Sequence, residues 1–179
     1  QVIPFDSIKV DAFSDLNSNS LKLQSQFLNL DAKGKYTITQ LPQLLTQKIA
    51  TYYNLSDSKT KFIDGKDTNL SLDVTIKNDK VLYQILPNLK SFDNATLHMN
   101  YVAQDDILNL NANFPNLVYG ANKITSAIIN VDTNASELQY KIGVAKLESE
   151  SYLIERIGLS GDVSNNNINY LFNIKDAKD

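Results

Sequence analysis

The chain has no cysteine and no tryptophan, and a single histidine and a single arginine among 179 residues. Without cysteine there is no structural disulfide and no thiol chemistry. With His98 as the only imidazole, the usual zinc ligand sets are missing too. Asp64-Gly65-Lys66-Asp67 faintly resembles a calcium loop, but it lacks the spaced carboxylates and the terminal glutamate. No metal and no cofactor is expected. A net charge of -3 and a pI near 5.1 argue against nucleic acid, which calls for a basic stripe. No apolar run approaches the roughly 20 residues that span a bilayer, and no signal peptide is visible. The chain begins at Gln1 without methionine, which suggests a piece of something larger.

What is present is alternation. Leu108, Leu110, Ala112 and Phe114 alternate with asparagines. Leu138, Tyr140, Ile142 and Val144 alternate with Gln139, Lys141 and Gly143. Period two over six to nine residues predicts half-buried antiparallel strands with one apolar and one wet face. From residue 95 onward such stretches follow one another, joined by Gln104-Asp105-Asp106, Asp132 to Ser136 and Asn165 to Asn167. Pro115-Asn116 and Tyr119 to Asn122 are expected to interrupt the ladder. Earlier strands are expected at 3–13, 21–27 and 70–76. Phe27-Leu28 marks a bend, Asp31 to Gly34 is either a turn or a continuing strand, and Gly34, Tyr36 and Ile38 alternate again.

The period changes twice. Leu41, Leu44, Leu45, Ile49 and Tyr52 lie at helical spacing, and Pro42 suits a first turn, so residues 41–53 read as an amphipathic helix capped at Thr39 or Gln40. Asp79 is a plausible cap for a short helix at 79–86, ended by Pro87. Residues 54–69 are rich in Asn, Ser, Asp and Gly and read as a mobile loop. The predicted fold is mainly β, a single segment over 1–179: a curled antiparallel meander forming an apolar groove, with these two helices.

No catalytic constellation accompanies the strands. His98 shares the polar side of its strand with Thr96 and Asn100. Asp105-Asp106 reads as a turn, not as an acid–base pair, which would need separate elements meeting in a pocket. Four Asn-x-Ser/Thr matches begin at Asn54, Asn69, Asn94 and Asn134, as chance produces in a chain with 21 asparagines. No enzyme is expected. Function is expected in the apolar rows: Leu97, Met99, Tyr101, Leu108, Leu110, Leu138, Tyr140, Ile142, Ile157, Leu159, Tyr170 and Phe172. Alternation alone does not separate a sealed core from an open groove. About nine strands with two helices to cover them favours the groove, with Leu41, Leu44, Leu45, Ile49 and Tyr52 as the lid.

Three stretches carry a family resemblance. They are Ala32-Lys-Gly-Lys-Tyr-Thr-Ile-Thr with Leu41-Pro-Gln-Leu-Leu, Leu70 to Leu89 ending Ile-Leu-Pro-Asn-Leu, and Leu108-Asn-Leu-Asn-Ala-Asn-Phe-Pro-Asn-Leu-Val-Tyr-Gly-Ala-Asn-Lys-Ile. Over roughly residues 20–175 the chain resembles the TamB/AsmA-like proteins of the bacterial envelope, in their Bacteroidota form. The resemblance implies a middle segment of a longer periplasmic protein, anchored in the inner membrane. It further implies an apolar groove that carries phospholipid acyl chains between inner and outer membranes or supports outer-membrane assembly, and an outer-membrane barrel partner met through a C-terminal part. The competing reading is a β-rich adhesion or glycan-binding module, which usually displays tryptophan. An outer-membrane barrel fits less well, because Tyr101, Tyr140 and Tyr170 lie mid-strand, away from any girdle.

Overall fold

The computed structural model describes residues 6–54 and 62–176. The expected mainly-β fold forms, as one unclosed antiparallel sheet of 11 strands with two short helices. The elements are β1 (Ile8–Ser14), β2 (Asn19–Ser25), β3 (Leu28–Gly34), α1 (Leu41–Ala50), β4 (Asn69–Ile76), α2 (Lys80–Ile85), β5 (Leu89–Phe92), β6 (Ala95–Val102), β7 (Ile107–Tyr119), β8 (Asn122–Thr133), β9 (Leu138–Glu148), β10 (Leu153–Ser164) and β11 (Asn167–Asp176). Strand order follows the chain, β1-β2-β3-β4-β6-β7-β8-β9-β10-β11, with β5 alone off this path. From residue 95 the sheet is the consecutive meander that the alternation predicts.

The early chain departs from expectation in instructive ways. Asp31 to Gly34 is strand: Asp31 pairs Lys22 on one side and Asp73 on the other. Phe27 belongs to the turn that separates β2 from β3. The alternation at Gly34, Tyr36 and Ile38 is no strand, because Gly34 takes φ +139° and its Cα lies against the Asn69 carbonyl. Only glycine allows both, and the chain then turns through 38–40 into α1. Of the first strand, residues 3–5 lie outside the described residues, as do residues 55–61 of the loop expected at 54–69.

Helix α1 is shorter than the expected 41–53, with Gln40 at its N-cap and Pro42 in its first turn. Helix α2 is capped as expected: the Asp79 carboxylate accepts the Val81 N–H at 2.9 Å, and Val81 is fully buried.

Pro115 does not end its strand. β7 runs through it and changes neighbours, pairing β6 up to Asn113 and β5 from Leu117. β5 and β6 are therefore one strand line broken at Asp93-Asn94. The break continues across the sheet. Paired residues resume on either side of Pro115 and Ser126, of Ser126 and Ala145, and of Ala145 and Arg156. Proline has no N–H to give the ladder, and Ser126 and Arg156 take positive φ, 52° and 58°. At this seam the apolar spacing in four strands changes from two to three: Phe114 to Leu117, Ala127 to Ile124, Val144 to Leu147, Ile157 to Ile154. Such irregularities bend a strand and re-aim its side chains.

Candidate functional site: one apolar face in two halves

Strand register lines up the alternation of separate strands. Val10, Leu23, Leu30, Val74, Leu97, Ala112, Ile129, Ile142, Leu159 and Phe172 are successive cross-strand partners, one from each strand of the main path. The next row is Ala12, Leu21, Ala32, Leu72, Met99, Leu110, Val131, Tyr140, Gly161 and Tyr170. Cross-strand partners share a face, so these rows form an unbroken apolar band. At about 4.8 Å per strand it is about 43 Å long. The opposite face is polar. One of its rows reads Asp11, Lys22, Asp31, Asp73, His98, Asn111, Asn130, Lys141, Ser160 and Leu171. His98 sits there in the open, its Nδ1 2.7 Å from an Asp73 carboxylate oxygen.

Helix α1 divides the apolar face. Leu41 and Leu45 pack on a cluster of Ala32, Tyr36, Leu70, Met99, Tyr101 and Leu108, with Leu97 and Leu110 at its margin. Half of the expected groove is thereby an ordinary core. Met99, Tyr101 and Leu108 are buried under the helix and offer no free floor. Burial also raises the pKa of the Tyr101 hydroxyl, with Lys48 opposing and Asp106 adding to the shift. The Tyr36 hydroxyl is raised by burial and by Asp31.

Of the expected lid stripe, Leu41 and Leu45 pack on the cluster, Leu44 and Tyr52 are buried, and Ile49 is exposed. Lys48 turns inward in its place, 6 % exposed. Its Nζ lies 3.0 Å from Asp106 Oδ1 and 4.7 Å from the centre of the Tyr52 ring. Two partners for the ammonium outweigh one exposed isoleucine. The same helix end reaches further. The Tyr52 hydroxyl donates to the Asn134 carbonyl. The Tyr52 carbonyl accepts the Asn166 N–H at 2.9 Å, and the Asn54 N–H donates to Asn166 Oδ1 at 2.7 Å. One helix end thus ties three hairpin turns, β6–β7, β8–β9 and β10–β11, and covers that end of the band.

The other half of the face is open. Leu138, Tyr140, Ile157 and Leu159 are half-buried, Ile142 is 40 % exposed, and Phe172 and Tyr170 are 55 % and 71 % exposed. Ile168 and Ile174 belong with them, opposite Val163 and Ile157. The alternation places both on the last strand with Tyr170 and Phe172, but the expected groove lining left them out. The tie of Lys48, Asp106, Asn134 and Asn166 left no such signal. Among the described residues, no group of acidic or histidine side chains is placed to hold a metal, and no helix is long and apolar enough to cross a membrane. Comparison with protein-family models, with curated proteins and with solved structures finds no match.

Proposed function

We propose that the open half of the apolar face, from β8 to β11, binds phospholipid acyl chains, and that the protein is a non-enzymatic segment of a lipid conduit. One observation carries the reading. Ile142, Tyr170 and Phe172 stay exposed on the same face whose middle is buried beneath α1. A contiguous apolar patch left exposed on a folded chain is often a binding surface. Burying about a dozen methylenes there favours uptake by on the order of 10 kcal/mol before ordering costs. The tie of α1 to three hairpin turns suits a chain lying across the strands, sliding along the rows, better than one running out past the helix. The resemblance to TamB/AsmA-like proteins supports the same reading, and with it a periplasmic setting and an outer-membrane barrel partner for the parent protein.

The test places a photo-crosslinking residue at Ile142 or Phe172, with controls at Lys141 and Asn173 on the polar face, and analyses the adducts by mass spectrometry. Lipid adducts at the first pair alone support the conduit. Equal labelling of both faces, or none, rejects it. A glycan-binding module is the second reading, favoured by Tyr170 and Phe172 as an exposed aromatic pair on one face. It predicts glycan binding that is lost in Tyr170→Ala, with no lipid adducts.

A further inference from the structure

A cleft of about 490 Å³ lies where the C-terminal turns of α1, the segment 62–66 and the β6–β7 turn meet. That is the size of a small-molecule site. Its walls are built into the fold. Gly65 lies so close to Leu44 that a methyl group there would collide with the leucine side chain. The Thr68 N–H donates to the Gly65 carbonyl at 2.8 Å, and the Ala103 N–H to the Thr68 carbonyl at 2.9 Å. The segment is thereby fixed to the end of β6. Leu44, Phe62, Ile63 and Ala103 make the lining mostly apolar.

Polar groups are few in this cleft, and two of them are deeply placed. Lys48 is 6 % exposed and Tyr101 4 %, and both line the cleft. An ammonium carries more N–H groups than the single Asp106 oxygen accepts. The Tyr101 hydroxyl feels the charges of both Lys48 and Asp106, which sets it beside that pair. It has no hydrogen-bond partner among the described residues. Buried polar groups are normally partnered, so the floor of the cleft offers more donors than its own acceptors use. Asp106 cannot swing over to serve both, because the Thr133 hydroxyl holds its backbone carbonyl at 3.0 Å. Charge narrows the choice of ligand. Lys48 and Lys66 are balanced by Asp64 and Asp106, so a carboxylate or phosphate would meet two carboxylates. An amide would bring a further donor to a site already rich in them. We propose that the cleft binds an uncharged molecule whose polar group is acceptor-only, an ester or ketone carbonyl on an apolar body. The carbonyl oxygen accepts from the Tyr101 hydroxyl and the Lys48 ammonium, and the apolar body lies along Leu44 and Ile63. The cleft shares no residue with β8 to β11, so the proposal stands apart from what the open face binds.

The test titrates the isotope-labelled chain with methyl octanoate, methyl octyl ketone and octanoate, and follows the backbone amides by NMR. The expected result is shifts at residues 44–51, 63–66 and 101–106, with a neutral ligand bound about fivefold or more tighter than octanoate. The tighter of ester and ketone names the source of the carbonyl. Tyr101→Phe keeps the ring and removes the donor, and should weaken the neutral ligand about fivefold. Should that variant not give the spectrum of a folded chain, Lys48→Met carries the same expectation. Tightest binding of octanoate means an anion site and overturns the proposal. Shifts confined to β8 to β11 mean that the ligand sits on the open apolar face, and overturn it. No shift with any of the three, or undiminished affinity in the folded variants, overturns it as well.

Discussion

Lys48 and Asp106 make an unequal pair: the lysine side chain is 6 % exposed and the aspartate 52 %, with 3.0 Å between Nζ and Oδ1. The ammonium depends on its partner far more than the carboxylate does. Asp106→Asn keeps the shape and suits the left-handed φ of 59° at this turn, but it removes the counter-charge and leaves the buried ammonium a neutral amide oxygen and the Tyr52 ring. A cost of about 1–3 kcal/mol is expected. Lys48→Met removes the charge from the buried side and should cost less. Chemical denaturation of both variants checks the order; equal losses would show that the pair acts as a surface ion pair.

The helix stripe gives a second prediction. Leu45 packs on the core cluster, so Leu45→Asp sets a carboxylate against its apolar side chains. A loss of several kcal/mol is expected. Ile49→Asp, at the exposed position of the same helix, should stay within about 0.5 kcal/mol. Thermal melts of the two distinguish a docked α1 from an undocked one, for which both would be silent.

These two residues show what the sequence made legible. Alternation marked β6 to β11, and helical spacing marked α1 and most of its buried face. Asp79 marked its cap. Lys48 was illegible because a lysine on a helix normally points to solvent, and its partner lies 58 residues away in a turn. β3 was obscured because Asp31 and Lys33 look like turn residues, whereas they point outward from a strand whose Ala32 is buried. β5 has only four residues, too few to show a period. Above all, Met99 and Phe172 sit in equivalent alternating patterns. Only the position of α1 makes one core and the other open surface, and that position is a tertiary fact.

Alkaline pH gives a third prediction. The hydroxyls of Tyr36 and Tyr101 have pKa values raised above 10.0, mainly by burial. The folded state therefore holds these protons more tightly than the unfolded state. Their contribution is complete below pH 10 and is lost as the pH climbs through the folded values. Stability from this source should be flat between about pH 7 and 9 and fall above about pH 10. Tyr101→Phe and Tyr36→Phe should each make the fall shallower, as read by denaturant midpoints across the range. An unchanged slope in both would assign alkaline loss to other groups.

Tyr140 and Gly161 give the last prediction. They are cross-strand partners on the apolar face, and the Tyr140 hydroxyl donates to the Asn169 carbonyl of β11 at 3.2 Å. A methyl group at residue 161 would stand 2.8 Å from that hydroxyl and closer still to the Asn169 carbonyl. The tyrosine could swing aside, but the carbonyl belongs to the β11 ladder and cannot move without it. Gly161→Ala is expected to cost about 1–3 kcal/mol and to loosen β11 first, because among the described residues β11 pairs with β10 alone. Gly158 makes the control: a methyl group there meets nothing within 4 Å, and alanine in place of a strand glycine should be neutral or slightly stabilising. Hydrogen exchange read by mass spectrometry should show amides 167–176 exchanging at least tenfold faster in Gly161→Ala and unchanged in Gly158→Ala. If β11 exchanges alike in both, the contact between Tyr140, Gly161 and Asn169 does not hold the edge, and the open half of the apolar face is not anchored by it.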